Sequence, residues 1–266
     1  MNASAKVSVI IPTIGVDEWL VAAVESVLPT AADDAVDVLE VVVVLDGAPA
    51  DATVPTHPLV RVVRLRERVG SAAAINAGVR IASGTYIARV DADDLAVAGR
   101  IRSQVAVLDR RADIAVVGTA ATVIGPDGAE LGAVDHPAGE DIGAELLRRN
   151  VLVHSSVLMR RSALEAVGGY DTRCVRMQDY DLWLRLATVG KVANLPERLT
   201  CYRAHPTQHS RNTNPFSPSA ARIRASRRAL ARHLGVHPVV QLVRDAVWTA
   251  SQAARHWGLR RPGHLR

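Results

Sequence analysis

Three carboxylates stand within four residues at the end of a short apolar stretch, in the segment Ala88-Arg89-Val90-Asp91-Ala92-Asp93-Asp94-Leu95. The preceding Thr85-Tyr86-Ile87 is typical of a buried strand in a parallel sheet. Like charges this close together repel each other, and a divalent cation held by hard oxygen ligands is the usual compensation. A solvated turn that caps the next helix explains the same residues, since Asp is a favoured N-cap. The Asp-x-Asp-Asp spacing alone leaves both interpretations open.

A second acidic position follows a strand-like run of valines at 39–45 and is occupied by Asp46-Gly47. Asp46 could accept a hydrogen bond from a base or a ribose, or it could be the first residue of an ordinary Asp-Gly turn. In open α/β sheets the ligand crevice lies at the carboxyl ends of the strands, where the segment that contains Asp91 also stands.

The first hundred residues alternate between strands and helices. Strands are predicted at 7–11, 39–45, 60–65 and 85–90, and helices after Asp17 and over 69–78. This order predicts an α/β fold in which helices cover a mostly parallel sheet. No Gly-x-Gly-x-x-Gly follows the first strand and no Gly-Lys-Ser/Thr loop is present, which disfavours a dinucleotide dehydrogenase and a P-loop enzyme.

The remaining residues continue the pattern and then change in character. Helices are predicted at 101–108, 140–149, 161–167 and 177–186, and strands at 114–123, 151–159, 192–195 and 199–203. The strand at 151–159 carries His154. Asn, Pro and Ser dominate residues 212–218, which predicts a boundary before a basic helical extension.

Composition excludes several classes of protein. Two cysteines, Cys174 and Cys201, give no disulfide framework, and no apolar run approaches the ~20 residues of a membrane helix, so we expect a cytoplasmic protein. The net charge is +5, and from Arg222 onward ten arginines accompany one acid, Asp245. This tail predicts either a solvated helix face or contact with anionic lipid. Nucleic acid is not expected as a partner, because no RNA-binding aromatic motif or zinc-finger spacing accompanies the arginines.

Several segments, taken in order, resemble the motifs of family-two glycosyltransferases. Their nucleotide-sugar half is matched by Val-Ser-Val-Ile-Ile-Pro-Thr at 7–13, Asp46-Gly47, Asn76-Ala77-Gly78 and the segment that ends in Asp93-Asp94. Their acceptor half is matched by Gly168-Gly169-Tyr170-Asp171, Gln178-Asp179-Tyr180-Asp181-Leu182-Trp183-Leu184-Arg185 and Tyr202-Arg203-Ala204-His205. The resemblance implies a GT-A domain over residues 1–212, with a nucleotide-binding half at 7–98 and an acceptor half at 99–212. Residues 213–266 are predicted to form a basic helical extension.

The resemblance also implies a donor site for a nucleoside diphosphate sugar, with UDP-sugars and dTDP-sugars expected. Its nucleotide-binding residues would be Pro12, Thr13, Asp46, Asn76, Asp91 and Asp93. Asp91 would face the ribose, and Asp93 would ligate Mg²⁺ or Mn²⁺ between the two phosphates. The cation would act as a Lewis acid toward the leaving diphosphate. His205 stands where relatives supply an imidazole to the cation, although a lone histidine is more often a surface or packing residue.

On the acceptor side, Asp179 matches the family's catalytic base. It would take the proton of the acceptor hydroxyl as the oxygen attacks the anomeric carbon, and a single in-line displacement would invert the configuration. His154 and Trp183 are candidates for contact with the acceptor; a hydrogen-bonded core histidine and a core tryptophan are the alternatives. Asp181 and Arg185, spaced i and i+4, predict a structural ion pair.

The chain departs from the family pattern at several positions. Ile14-Gly15 stands where many relatives have Tyr-Asn, and Gln178 stands where Glu is frequent. The Gln-x-x-Arg-Trp pattern of processive synthases is missing, which favours transfer of one sugar to a glycan, a lipid-linked sugar or a metabolite. The basic tail adds a possible peripheral contact with the cytoplasmic face of a membrane.

Two other functions stay open at this point. A sugar nucleotidyltransferase would use a similar nucleotide half, but it would carry a Gly-rich loop with a Lys or Arg where this chain has Pro12-Thr13-Ile14-Gly15. A non-catalytic carbohydrate-binding or membrane-binding module is the second alternative.

Overall fold

The computed structural model describes residues 7–29, 38–206 and 214–257. Its strands and helices in chain order are β1 (Val7–Thr13), α1 (Glu18–Val27), β2 (Val38–Asp46), β3 (Val60–Leu65), α2 (Ser71–Ile81), β4 (Tyr86–Arg89), β5 (Leu95–Ala96), α3 (Arg100–Arg110), β6 (Ile114–Ile124), β7 (Glu130–Val134), β8 (Leu158–Arg160), α4 (Arg161–Ala166), α5 (Gln178–Leu186), β9 (Lys191–Arg203), α6 (Pro218–His233) and α7 (Pro238–His256).

The strands form one sheet in the order β3-β2-β1-β4-β8-β6-β9-β5, with β7 paired to β6. The strands β1 to β4 pair in parallel, as the sequence predicts. Strand β8 is antiparallel to both β4 and β6, and β5 and β7 also pair antiparallel to their neighbours, whereas β6 and β9 are parallel. The predicted α/β fold is confirmed, and the sheet is mixed beyond β4.

Apolar side chains cover both faces of the sheet. Along β1, Val9 and Ile11 join one cluster while Ile10 joins the other, because successive side chains of a strand point to opposite faces. Helix α2 lies close to the sheet on the Ile10 side. A Cβ atom at Gly78 would come within 2.8 Å of the Ile10 side chain and 2.9 Å of Val44. The small residues at 71–78 therefore allow the close approach of helix and sheet.

The predicted strand at 151–159 is wrong over most of its length. His154–Ser156 form a 3₁₀ turn, and only Leu158–Arg160 pair with the sheet. The Ser156 hydroxyl donates to the Val153 carbonyl at 2.9 Å, and Gln104 donates to the Ser156 carbonyl at 2.7 Å. These side chains occupy backbone groups that a strand would pair. The predicted helix at 140–149 is likewise reduced to a 3₁₀ turn at Gly143–Leu147.

One long strand replaces the two that were predicted at 192–195 and 199–203. Strand β9 pairs with β6 along its length and, near its end, with the two-residue strand β5. Leu95 lies opposite Cys201 in that pairing. The residues just before Leu95 and just after Arg203 are therefore brought to the same end of the sheet.

The C-terminal helices pack on the acceptor half. Ser217 caps α6 by accepting from the Ala220 backbone N–H, and Pro218 follows at the first helical position. Ile223 and Leu230 of α6 and Trp248 of α7 join the same apolar cluster as Trp183 of α5. The predicted boundary at 212/213 and the arginines at 260, 261 and 266 lie outside the described residues. Among the helices that are described, none combines the length and apolar character required to cross a membrane.

Candidate functional site

The three carboxylates after β4 have different surroundings. The side chains of Asp91 and Asp93 are 35% and 28% exposed, whereas Asp94 is 1% exposed. The turn at 91–94 closes with a hydrogen bond from the Asp94 N–H to the Asp91 carbonyl at 3.2 Å. Two of the three carboxylates are thus open to a ligand, and the third is enclosed by protein.

Asp91 is held by groups from two other segments. It forms an ion pair with the buried guanidinium of Arg89 and accepts a hydrogen bond of 2.7 Å from the Ser155 hydroxyl. Desolvation alone would raise the pKa of Asp91, but Arg89, His154 and Ser155 outweigh it and lower that pKa to about 2. Asp91 is therefore ionised at any ordinary pH.

Asp93 meets His205, a residue 112 positions later in the chain. The His205 Nε2 and an Asp93 carboxylate oxygen are 2.7 Å apart. The centre of the Trp19 ring lies 5.1 Å from the centre of the His205 ring. The Arg203 guanidinium lies over the Trp19 ring, 5.3 Å from its centre. Burial and the charge of Asp91 raise the pKa of Asp93, and the hydrogen bond to His205 opposes this. A bound cation would stabilise the charge of Asp93 that its surroundings disfavour.

Asp94 holds together the two chain segments that carry Asp93 and His205. One carboxylate oxygen accepts the Arg203 N–H at 2.7 Å, and the other is buried without a hydrogen-bond partner among the described residues. Burial, followed by the charges of Asp93 and Asp91, raises the pKa of Asp94 well above its usual value. Asp94 ties the end of β9 to the turn after β4 and so sets the distance between Asp93 and His205.

His154 lies between the Asp91 side of the site and the acceptor half. Its Nδ1 is 3.9 Å from the Asp91 carboxylate, and its Nε2 is 2.9 Å from the Tyr170 hydroxyl. Burial and the charge of Arg89 lower the pKa of His154, while the charges of Asp91 and Asp179 raise it. Through its contacts with Asp91 and Tyr170, His154 links the turn after β4 to the acceptor half.

Asp179 occupies the first turn of α5, where the helix dipole favours a negative charge. The Asn150 side chain donates a hydrogen bond of 2.7 Å to one of its oxygens. The chain enters the helix through Met177, whose φ of +57° lies in the left-handed region that non-glycine residues rarely adopt. The predicted ion pair between Asp181 and Arg185 is confirmed at 2.8 Å. Asp181 is buried, so it serves the packing of α5.

The residues at the ends of β1 and β2 form the neighbouring part of the sheet edge. Pro12 and Thr13 are half-buried, and Thr13 pairs with Leu45 in the parallel ladder. The Thr13 hydroxyl donates to the Gly15 carbonyl at 2.6 Å. Asp46 is buried and accepts the backbone N–H groups of Val69 and Gly70 at 2.7 and 2.9 Å. Asp46 therefore shapes the loop before α2, and its predicted contact with base or ribose stays a prediction.

Two predicted site residues take other positions. Trp183 is 0% exposed within the apolar cluster, with its ring 6.1 Å from His154, so it packs as the core tryptophan that the sequence offered as the alternative, and its contact with an acceptor stays a prediction. Asn76 uses both ends of its amide on the backbone of Tyr170, donating at 2.8 Å and accepting at 3.0 Å. The structure gives Asn76 the role of joining α2 to the Gly168-Gly169-Tyr170 loop.

Sequence reasoning missed Arg89, Ser155 and Asn150, which hold the carboxylates in place. A detectable signal existed for Arg89 alone, since an arginine inside an apolar strand must be paired when it is buried. Ser155 and Asn150 reach Asp91 and Asp179 across 64 and 29 positions, and nothing in their own neighbourhoods indicates those contacts.

The donor atoms at this edge suit a hard divalent cation. Asp93 and His205 place a carboxylate and an imidazole side by side. Carboxylate oxygen is a preferred ligand of both Mn²⁺ and Mg²⁺. Within residues 7–29, 38–206 and 214–257, no group of three or more His, Cys, Asp or Glu side chains is placed to hold a metal. Mg²⁺ commonly binds one or two carboxylates together with substrate phosphates, so Asp93 fits that mode, and His205 adds a nitrogen ligand.

Comparisons with known proteins agree on the family. The sequence model of glycosyl transferase family 2 matches residues 8–168. The Bacillus subtilis putative glycosyltransferase EpsE is 30% identical over 82% of this chain and 80% of its own length. The Erwinia amylovora amylovoran biosynthesis glycosyltransferase AmsE is 30% identical over 62% of this chain and 64% of its own length.

Solved structures show the same fold. The structure of S. aureus TarS 1–349 in complex with UDP-GlcNAc matches with a TM-score of 0.61 and 16% identity, over 95% of this chain and 73% of that one. The two alternatives that the sequence left open, a nucleotidyltransferase and a non-catalytic module, receive no support from these comparisons. The chain has the GT-A fold, belongs to glycosyl transferase family 2, and is a glycosyltransferase.

Proposed function

We propose that the protein transfers one sugar from a nucleoside diphosphate sugar to an acceptor hydroxyl, with inversion at the anomeric carbon and with the help of a divalent cation. The observation that carries this proposal is the meeting of Asp93 and His205, 2.7 Å apart, beside the ionised Asp91 at the carboxyl end of β4. This is the edge of the sheet at which α/β folds bind their ligands.

The donor nucleotide is placed along the ends of β1, β2 and β4. Pro12 and Thr13 border the base, and Asp91 faces the ribose. Asp46 contributes through the loop that it holds before α2. A UDP-sugar or a dTDP-sugar is the proposed donor, and the UDP-GlcNAc complex of the structurally similar TarS supports the first of these.

Asp93 and His205 would hold Mg²⁺ or Mn²⁺ together with the two phosphates. When bound there, the cation neutralises charge on the departing diphosphate. Arg203 joins the two segments that carry these ligands, since its side chain donates to the Asp93 carbonyl at 2.9 Å and its backbone N–H donates to Asp94. The protein thus brings the two ligands within 2.7 Å of each other without the donor.

Asp179 is the proposed base on the acceptor side. Asn150 binds one carboxylate oxygen, which orients the other toward the acceptor hydroxyl for proton removal. Attack from the side opposite the diphosphate inverts the configuration in one step. His154, whose Nδ1 lies 3.9 Å from the Asp91 carboxylate and whose Nε2 is hydrogen-bonded to the Tyr170 hydroxyl, is the proposed acceptor contact.

The acceptor is proposed to be a hydroxyl of a glycan, a lipid-linked sugar or a metabolite. The relatives' names include amylovoran biosynthesis and O-antigen biosynthesis, which favours a polysaccharide precursor. A cytoplasmic location, peripheral at the membrane, belongs to the same proposal and is supported by the ten arginines against one acid after residue 221.

Calorimetric titration with a panel of nucleoside diphosphates tests the proposal. Each nucleotide is titrated with Mn²⁺, with Mg²⁺ and with chelator, into wild type and Asp93→Ala. We expect one nucleotide to bind only with metal, and the Asp93→Ala substitution to abolish this binding. Asp113→Ala is the matched control, because Asp113 is an exposed carboxylate at the start of β6, on the opposite edge of the sheet. Folded wild type that binds none of the nucleotides would refute the proposal.

A further inference from the structure

Helix α7 turns its polar face inward and its apolar face outward. Gln241, Asp245, Trp248 and Gln252 are buried. The outward face carries Val239, Val240, Leu242, Val243, Val247 and Trp257, which are 46–65% exposed. At the α-helical angle between residues, this face spans an arc of roughly 160° that contains no polar side chain. Most helices on a protein surface show the reverse arrangement.

The contacts of the buried face hold α7 in this orientation. The Arg227 guanidinium is 0% exposed and donates to Asp245 at 2.8 Å and to the Tyr180 hydroxyl at 2.8 Å. The Trp248 ring lies 5.4 Å from the same guanidinium, and Gln241 donates to Asp245 at 2.8 Å. Turning the apolar face inward would leave Arg227 buried without its carboxylate, which is strongly destabilising. The exposed valines are therefore a constant feature of the folded protein.

An apolar surface of this extent on a folded domain marks an interaction site. The charges that border this surface distinguish between two partners, a second copy of the chain and an anionic membrane. Arg244 and Arg255 follow the edge of the apolar arc, and Asp245, the one acidic residue of α6 and α7, is buried in its ion pairs. In a twofold dimer with antiparallel α7 helices, the edge that carries Arg244 and Arg255 would meet the same edge of the second copy, and the arginines would repel each other. A surface rich in anionic lipid offers complementary charge and an apolar layer.

We propose that α7 binds anionic membranes, lying in the plane of the interface with Val239, Val243 and Val247 directed into the acyl region. Trp257 at the end of the helix suits the headgroup level, where tryptophan is enriched. The sequence alone indicated electrostatic attraction through the arginines. The structure adds the apolar surface, which gives binding that persists when salt screens the charges.

Flotation with lipid vesicles tests this proposal on the full-length protein. Vesicles of phosphatidylcholine alone are compared with vesicles that also contain phosphatidylglycerol. We expect wild type to float with the anionic vesicles, and the double variant Val243→Glu/Val247→Glu to partition at least about tenfold more weakly, equivalent to about 1.4 kcal/mol. Val62→Glu is the matched control, because Val62 is 43% exposed on β3, outside the C-terminal helices. Circular dichroism and thermal unfolding confirm that each variant folds.

Three results would overturn the proposal: wild type that stays in solution with anionic vesicles, a double variant that floats as well as wild type, or a dimer of wild type that the double variant disperses while neither binds lipid. The last result would assign the surface to a second copy of the chain. Donor binding, measured by calorimetry on the same variants, is expected to stay unchanged. A failure here is therefore distinct from a failure of the proposed catalytic function.

Discussion

Replacing Asp179 with Asn removes the proposed base while keeping the shape of the side chain. The carboxylate accepts one hydrogen bond from Asn150 at 2.7 Å, and the amide oxygen of an asparagine can accept the same bond. Asp179 has no ion pair among the described side chains at 4 Å or less, so the loss of its charge leaves no partner unpaired. We expect thermal stability within about 0.5 kcal/mol of wild type, as for substitutions that break no buried network.

The expected effect on turnover is much larger. General-base catalysis contributes about 10²–10⁴-fold to the rate of such a step. Asp179→Asn should therefore lower kcat by this factor, which corresponds to about 3–5 kcal/mol in the activation free energy. The proposed donor site lies around Asp93, so the Kd of the nucleotide should stay within about twofold of wild type.

Asp181→Asn is the matched control two residues later on the same helix. Asp181 is 2% exposed, pairs with Arg185 at 2.8 Å and accepts from the Ser226 hydroxyl of α6 at 2.6 Å. Arg185 keeps its hydrogen bonds to the Val167 and Gly169 carbonyls, so the loss falls at the low end for a broken buried pair, about 3 kcal/mol. This variant should lose stability and keep its turnover below the melting temperature.

Release of nucleoside diphosphate, with the donor that calorimetry identifies, measures turnover in both variants. Thermal unfolding measures stability, and calorimetry measures donor affinity. Turnover of Asp179→Asn at more than about a tenth of the wild-type rate, with unchanged stability, would refute the assignment of Asp179 as the base. The assignment is also refuted if the Asp181→Asn variant shows the larger loss of kcat.

Three further predictions concern the scaffold. Asn76→Ala should destabilise the protein by about 1–3 kcal/mol in urea unfolding, because it leaves the backbone groups of Tyr170 without their partners. Donor affinity should be retained, and reduced affinity with intact stability would instead assign Asn76 to the nucleotide site. Gly78→Ala should lower the melting temperature and reduce the free energy of unfolding by about 1–3 kcal/mol, since its Cβ would come within 2.8 Å of the Ile10 side chain. An unchanged melting temperature would contradict the close packing of α2. Burial and the charge of Arg149 lower the pKa of His136 to about 4, so between pH 6.5 and pH 4 the unfolded chain binds the extra proton and stability falls as the pH falls. His136→Gln should remove up to about 3 kcal/mol of that fall, measured as the difference in urea unfolding between pH 7 and pH 4.5.

Much of the fold follows from local patterns in the sequence. The valine runs of β1 and β2 predict strands buried on both faces, and the structure places their side chains in the two apolar clusters. Asp17 predicts the start of α1 and accepts the Leu20 N–H at 2.9 Å. The ordered motifs also place Asp91 and Asp93 after β4. Each of these inferences needs only residues that are near one another in the chain.

Local patterns failed where side chains compete with the backbone. The apolar run around His154 resembles a strand, but the Ser156 hydroxyl donates to the Val153 carbonyl, and the Arg100 guanidinium donates to the Ser155 carbonyl at 2.6 Å. Trp183 has the aromatic ring that a sugar site needs, yet helix α5 turns that ring into the core. Which face of a helix meets the core depends on partners that lie far away in sequence.

The sequence by itself determined the family, the order of the elements and the identities of the acidic residues, because these depend on residue type and short spacing. The tertiary structure decided which carboxylates are open, since Asp94 is enclosed by Arg203 and Asp93 is joined to His205 across 112 positions. It also decided the orientation of α7. Helical periodicity separates a polar face from an apolar one, but burial of the polar face follows from its ion pair with Arg227, a contact between two helices.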